Sequence, residues 1–136
     1  MELQRGLTAG LWDDEEQALY PFISDVLGAS FWDAQREIVE AVERYPRTAV
    51  RSCHGIGKSY SVARIAIAFL QTRKNSIVLT TAPSSAQVKE VTWAYIRGAA
   101  EGARRPLAGK RGHPLYTKWE INPNWKALGI SPGKNN

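Results

Sequence analysis

Nine consecutive residues set the expected architecture of this chain: Arg51-Ser52-Cys53-His54-Gly55-Ile56-Gly57-Lys58-Ser59. A short apolar segment at 48–50 precedes them. The apolar residues that follow share one helical face: Val62, Ile65, Ala66 and Phe69. A glycine-rich turn that leads from a strand into a helix and closes on Gly-Lys-Ser is typical of a phosphate-binding P-loop. The sequence therefore predicts a nucleotide site.

Each residue type of this motif suits a phosphate ligand. Backbone N–H groups of the loop and of the first helical turn can surround the anion, and glycine allows close approach of the backbone. We expect Lys58 to bridge the β- and γ-phosphates of ATP and the Ser59 hydroxyl to bind Mg²⁺. The nucleotide-contacting residues predicted from this run are Ser52, Cys53, His54, Gly55, Ile56, Gly57, Lys58, Ser59 and Tyr60.

The motif departs from the usual GxxxxGK[ST] pattern at its first position, which is Ser52 and not glycine. The alternative is an ordinary strand-to-helix turn that carries Gly-Lys-Ser, but the flanking strand and helix patterns favour the phosphate loop. A Rossmann dinucleotide fingerprint is excluded because its third glycine is missing.

The cysteine and histidine content argues against other site classes. Cys53 is the single cysteine, so no internal disulfide can form, and His54 and His113 have no metal-ligand spacing. We interpret Cys53 as a small loop residue. The ring of His54 could face a γ-phosphate or point to solvent, and both interpretations stay open.

Composition indicates one domain with its own core. Of the 136 residues, 43% are apolar and 10% aromatic. No apolar run is long enough to span a membrane, and the acidic N-terminal region lacks the layout of a signal peptide. We therefore expect a cytoplasmic protein without a membrane partner.

Charge is distributed unevenly along the chain. Residues 1–43 contain ten acidic and two basic residues, a net charge of −8, whereas residues 44–136 contain sixteen basic and three acidic residues, a net charge of +13. A basic region of this size suits a polyanionic partner, nucleic acid above all. The Gly-, Pro- and Arg-rich segment 99–114 is predicted to be a mobile basic loop that contacts DNA or is merely solvated.

Two regions are expected, an N-terminal helical adaptor over residues 1–28 and a P-loop domain over 29–136. Capping-box spacing at Ser30 predicts a helix that ends at Pro46, and the same spacing at Ser84 predicts a helix after the second strand. A third helix is expected from Lys58 to about residue 71.

Strand patterns favour the α/β class. A short strand is expected over 48–52, and the β-branched run 76–81 is typical of a strand buried on both faces of a parallel sheet. Segments 115–121 and 125–130 flank turn residues and predict a hairpin. The expected fold is a three-layer, P-loop NTPase-like parallel sheet that is incomplete in this chain and ends in a β-hairpin.

Gln35 lies on the first turn of the helix before the loop. A glutamine amide can donate to and accept from the adenine edge, and the ring of Trp32 could lie on the base. On these residues alone, a surface glutamine beside a core tryptophan is the favoured interpretation.

The sequence contains no second carboxylate motif. Phosphate-loop ATPases use an Asp at the end of another strand to hold Mg²⁺ through water. Every Asp here precedes the loop, and none of the three later acidic residues ends an apolar strand: Glu90, Glu101 and Glu120. We expect this chain to bind ATP but to hydrolyse it poorly or not at all on its own.

Four segments occur in a familiar order: WDAQREI at 32–38, VRSCHGIGKS at 50–59, TTAP with QV at 80–88, and the segment 125–132. Together they resemble the N-terminal ATPase domain of the large terminase subunit of tailed bacteriophages, with similarity from about residue 20 to residue 133. The resemblance implies an ATP-driven motor that packages double-stranded DNA into procapsids in a bacterial host cell. It also implies a homo-oligomeric ring that works with a portal protein and a small terminase subunit.

The resemblance implies roles for single residues. Gln35 would contact adenine, and Arg51 would act on the γ-phosphate together with Lys58. Family members continue into an Asp-bearing strand and a nuclease domain, so we expect a truncated gene product or prophage remnant. A fragment of a helicase-like DNA-dependent ATPase and a non-enzymatic, basic DNA-binding remnant are the alternatives.

Overall fold

A computed structural model describes residues 18–51, 57–109 and 112–131. Its helices are α1 (Leu19–Asp25), α2 (Asp33–Arg44), α3 (Lys58–Thr72), α4 (Ser85–Gln87) and α5 (Trp93–Glu101), with a π-helical stretch (Val88–Thr92) between α4 and α5. Its strands are β1 (Ile77–Thr81), β2 (Lys118–Asn122) and β3 (Trp125–Ile130). Within these ranges, no helix has the combined length and apolarity that crossing a bilayer requires.

The three strands form one mixed sheet in the order β1-β3-β2. β3 runs parallel to β1 and antiparallel to β2. The predicted hairpin is confirmed by the β2–β3 pair, and at its turn the backbone N–H of Asn124 donates to Asn122 Oδ1 at 2.8 Å. β2 begins at Lys118, later than the sequence pattern indicated.

The sequence predicted a strand over 48–52, before the loop. This prediction is wrong for residues 48–51, the part of that range that the structure describes. Residues 48–51 form no strand. The Thr48 hydroxyl donates to the carbonyl of Ala41 at 3.2 Å, which ties this segment to the last turns of α2. Ser52 lies outside the described residues. The only parallel pair in the described sheet is therefore β1 with β3.

The expectation that β1 is buried on both faces is also wrong. Ile77 is 55% exposed and Leu79 is 59% exposed, so the described residues leave one face of β1 open. The opposite face, with Val78 and Thr80, meets α3 and α5. Residues of both helices and of all three strands line the same interior space: Ile67, Leu70, Val78, Thr80, Trp93, Ile96, Trp119 and Ala127. The described chain is thus mixed α/β, and a three-layer arrangement is not seen in it.

Capping-box spacing in the sequence predicted two helix starts, and one of them is confirmed. The Ser84 cap is confirmed, because its Oγ accepts from the Gln87 N–H at 3.2 Å. The expected Ser30 cap is wrong, since α2 begins only at Asp33 with Trp32 as the flanking residue. Helix α3 begins at Lys58 as the sequence predicted.

A row of aromatic rings connects α1 to α3. The ring centroids of Tyr20 and Phe31 are 5.8 Å apart, and those of Phe31 and Tyr60 are 6.1 Å apart. An arginine guanidinium lies over the ring at each end of the row. Arg36 Cζ is 4.7 Å from the Tyr20 centroid, and Arg64 Cζ is 3.5 Å from the Tyr60 centroid. We call Tyr20, Phe31 and Tyr60 the aromatic column.

The basic segment 99–114 is more structured than the sequence indicated. Its first residues continue α5 to Glu101. Beyond the helix, the Arg104 N–H donates to the Val26 carbonyl at 2.7 Å. The Gln71 side chain accepts from the Ala108 N–H at 2.7 Å and donates to the Ala108 carbonyl at 3.3 Å. These bonds hold the described part of the segment against α1 and α3.

Candidate nucleotide-binding site

The candidate site lies at the N-terminus of α3. Gly57 flanks the helix with φ 73° and ψ 33°, in the left-handed region that glycine adopts without strain. Lys58 and Ser59 are the next two residues, and both are exposed. The first N–H groups of a helix have no intrahelical acceptor, and the helix dipole favours an anion there. The described end of the motif is therefore a helix N-terminus that begins with an exposed lysine and an exposed serine.

The carbonyl oxygen of Gly57 accepts three hydrogen bonds. The donors are the Ser61 N–H at 2.9 Å, the Ser61 hydroxyl at 2.7 Å and Gln35 Nε2 at 3.4 Å. Ser61 is fully buried and Gln35 is only 5% exposed, so both side chains reach the carbonyl from the interior. The last glycine of the loop is thus fixed to α2 on one side and to α3 on the other.

Gln35 reaches Gly57 because of how α2 begins. Gln35 Oε1 accepts from the Trp32 N–H at 3.0 Å, as a glutamine does in the first turn of a capped helix. The interpretation as a surface glutamine beside a core tryptophan is wrong in both parts. Gln35 is buried, and Trp32 is 54% exposed. Contact between Gln35 and adenine stays a prediction.

The remaining site residues fall into two groups. Tyr60 is described and lies half-buried in the aromatic column. Arg51 is also described; it is exposed and is the last described residue before the loop. The others lie outside the described residues, so their roles stay predictions: Ser52, Cys53, His54, Gly55 and Ile56.

The sequence patterns did not single out two residues of this region, Ser61 and Arg64. Ser61 stands in an apolar helical run, four residues after a glycine, where a serine hydroxyl can bond the carbonyl of the preceding turn. Arg64 lies over the ring of Tyr60, and its Nη1 donates to the Tyr60 carbonyl at 3.2 Å. Burial lowers the pKa of Arg64, and the nearby Tyr60 and Tyr95 partly offset that effect. Arg64 places a cation beside the first turn of α3.

The described residues contain no group of three or more His, Cys, Asp or Glu side chains placed to hold a metal ion. Mg²⁺ at a phosphate site needs few protein ligands, because nucleotide oxygens and waters supply most of its coordination. The exposed Ser59 on the first turn of α3 is compatible with that role.

Comparisons with protein-family models, with curated proteins and with solved structures gave no match to this chain.

Proposed function

We propose that this chain binds Mg-ATP at the N-terminus of α3. Lys58 holds the β- and γ-phosphates, and the Ser59 hydroxyl is a ligand of Mg²⁺. The observation that carries the proposal is the conformation of Gly57, which is left-handed and opens a helix whose first two residues are that lysine and that serine. This is the backbone arrangement that the Gly-Lys-Ser sequence needs in order to aim N–H groups at phosphate.

The same proposal extends to a biological role as the nucleotide-binding part of a phage terminase large subunit, the motor that packages double-stranded DNA. This role is supported by the resemblance of the segments at 32–38 and 50–59 to the terminase ATPase domain. The contact between Gln35 and Gly57 adds support, because it brings the two segments together. The full motor would work as a ring with a portal protein and a small terminase subunit. The nucleotide is bound by this chain, and efficient hydrolysis needs carboxylates that its sequence lacks.

Calorimetric titration of the full chain with Mg-ATP tests the binding site. Replacing Lys58 by alanine should weaken binding by roughly tenfold or more, because a charged hydrogen-bond donor to phosphate is lost. Lys74→Ala is the matched control, since Lys74 is also exposed but follows the other end of α3. Equal affinity of Lys58→Ala and the parent chain would refute the assignment.

DNA binding separates the remaining interpretations. Affinity for duplex DNA that falls with salt and does not respond to Mg-ATP would favour the non-enzymatic DNA-binding alternative. Genes for portal and capsid proteins beside this one would favour packaging over a helicase-like role.

A further inference from the structure

We infer that Gln35 and Ser61 are positioning residues of the phosphate site, and that they act through the carbonyl of Gly57 and not through contact with the nucleotide base. This inference rests on the proposed Mg-ATP site. It gives Gln35 a role different from adenine recognition, and it gives Ser61 a role at the phosphate site.

The planarity of the peptide bond carries the argument. The carbonyl of Gly57 and the N–H of Lys58 belong to one rigid unit and point in opposite directions. Three donors hold the Gly57 oxygen, so they also set the direction of the Lys58 N–H. A P-loop binds phosphate through such N–H groups. Fixing the carbonyl from the protein interior therefore orients a phosphate-binding donor before any ligand arrives.

The chemistry of the glutamine amide agrees with this role. Its Oε1 accepts from the Trp32 N–H and its Nε2 donates to the Gly57 carbonyl. These two backbone partners determine which end of the amide is oxygen and which is nitrogen. A Cβ at position 57 would lie 2.6 Å from Gln35 Nε2, so any side chain there would displace the amide from this position.

Ser61 supports the carbonyl from within α3. Its hydroxyl bond to Gly57 is 2.7 Å long and the side chain is fully buried. Thr72 makes an equivalent bond at the other end of the same helix, where its Oγ1 donates to the Ala68 carbonyl at 2.6 Å. Thr72 therefore provides an internal control for the loss of such a bond away from the phosphate site.

The test compares Mg-ATP with Mg-tripolyphosphate, which has the phosphates but no base. Both ligands are titrated calorimetrically into the full chain and into three variants, Gln35→Met, Ser61→Ala and Thr72→Ala. Loss of one positioning bond should weaken both ligands by the same factor, roughly fivefold. Thr72→Ala should bind both ligands like the parent. The NMR shift of the Lys58 amide on adding tripolyphosphate should be smaller in Ser61→Ala than in the parent.

Contrary outcomes are distinct from one another. If Gln35→Met weakens Mg-ATP and leaves tripolyphosphate unchanged, Gln35 is a base ligand and the inference fails. If Ser61→Ala leaves both affinities unchanged, or if Thr72→Ala lowers them equally, the inference also fails. Should Gln35→Met not fold, the comparison of Ser61→Ala with Thr72→Ala still decides whether the donors to the Gly57 carbonyl position the phosphate site. A parent chain that binds neither ligand, or a Lys58→Ala variant with parental affinity, would refute the proposed function itself.

Discussion

The indole N–H of Trp93 donates to the hydroxyl of Thr80 at 2.8 Å, and this bond connects α5 to the inner face of β1. Trp93 is fully buried, so its N–H is shielded from water. The same hydroxyl lies 3.4 Å from the carbonyl of Leu128, to which it can donate. One threonine side chain thus joins a helix and two parallel strands.

Replacing Thr80 by valine should destabilise the chain by about 1–3 kcal/mol, because a buried indole N–H loses its acceptor while the side-chain shape is kept. Urea denaturation measures the change. Thr81→Val is the control, since Thr81 is exposed on the same strand. Equal stability of the two variants would show that the Trp93 bond contributes little.

Replacing Gly129 by alanine should destabilise the chain by about 1–3 kcal/mol through overpacking. A Cβ at this position would collide with the indole of Trp93 and would lie 2.8 Å from Val88 Cγ1. Thermal unfolding followed by circular dichroism reports the loss. An unchanged midpoint would mean that α5 moves away from β3 at little cost.

Replacing Gly57 by alanine should cost about 1–2 kcal/mol of stability, because its left-handed conformation crowds a Cβ against the backbone. The variant should also weaken Mg-ATP binding, since the new Cβ displaces the Gln35 amide. Gly98→Ala is the matched control. Gly98 lies in α5, and a Cβ added there would meet open space, with no neighbour within 4 Å, so alanine should raise stability by about 0.5–1 kcal/mol. Opposite signs for the two variants, measured by urea denaturation, are the expected result.

A double-mutant cycle between Tyr60 and Arg64 should give a coupling free energy of about 0.5–2 kcal/mol, because the guanidinium lies on the ring face. Tyr60→Leu, Arg64→Met and the double variant complete the cycle. Their free energies of unfolding come from urea titrations. Additive losses would show that the ring and the cation stabilise the chain independently.

Local sequence patterns predicted some elements well. Helix α3 begins at Lys58 because glycine and a helical apolar period meet there, and Asn122 marks the hairpin turn through its side-chain acceptor. These signals depend on neighbouring residues in the sequence, so the elements can be predicted without knowledge of tertiary contacts.

Burial and pairing were harder to predict because they depend on distant residues. Ile77 and Leu79 have the composition of a strand buried on both faces, yet the described chain covers only one side of β1. The sequence predicted an exposed Gln35 and a buried Trp32, and the structure shows the reverse. The bond from the Trp32 N–H to Gln35 Oε1 turns the amide inward, toward Gly57. Segment 48–51 has no strand partner in the described sheet. The local sequence pattern cannot show whether a segment finds such a partner.

The aromatic column has a consequence for folding cooperativity. Tyr20 belongs to the N-terminal segment that the sequence separated as an adaptor, whereas Tyr60 belongs to the helix that follows the phosphate motif. Because Phe31 packs against both rings, opening α1 would expose Phe31, the ring that covers Tyr60 on α3. The amides of these two helices should therefore exchange with deuterium in a single event, and the adaptor and the nucleotide site should melt as one foldon.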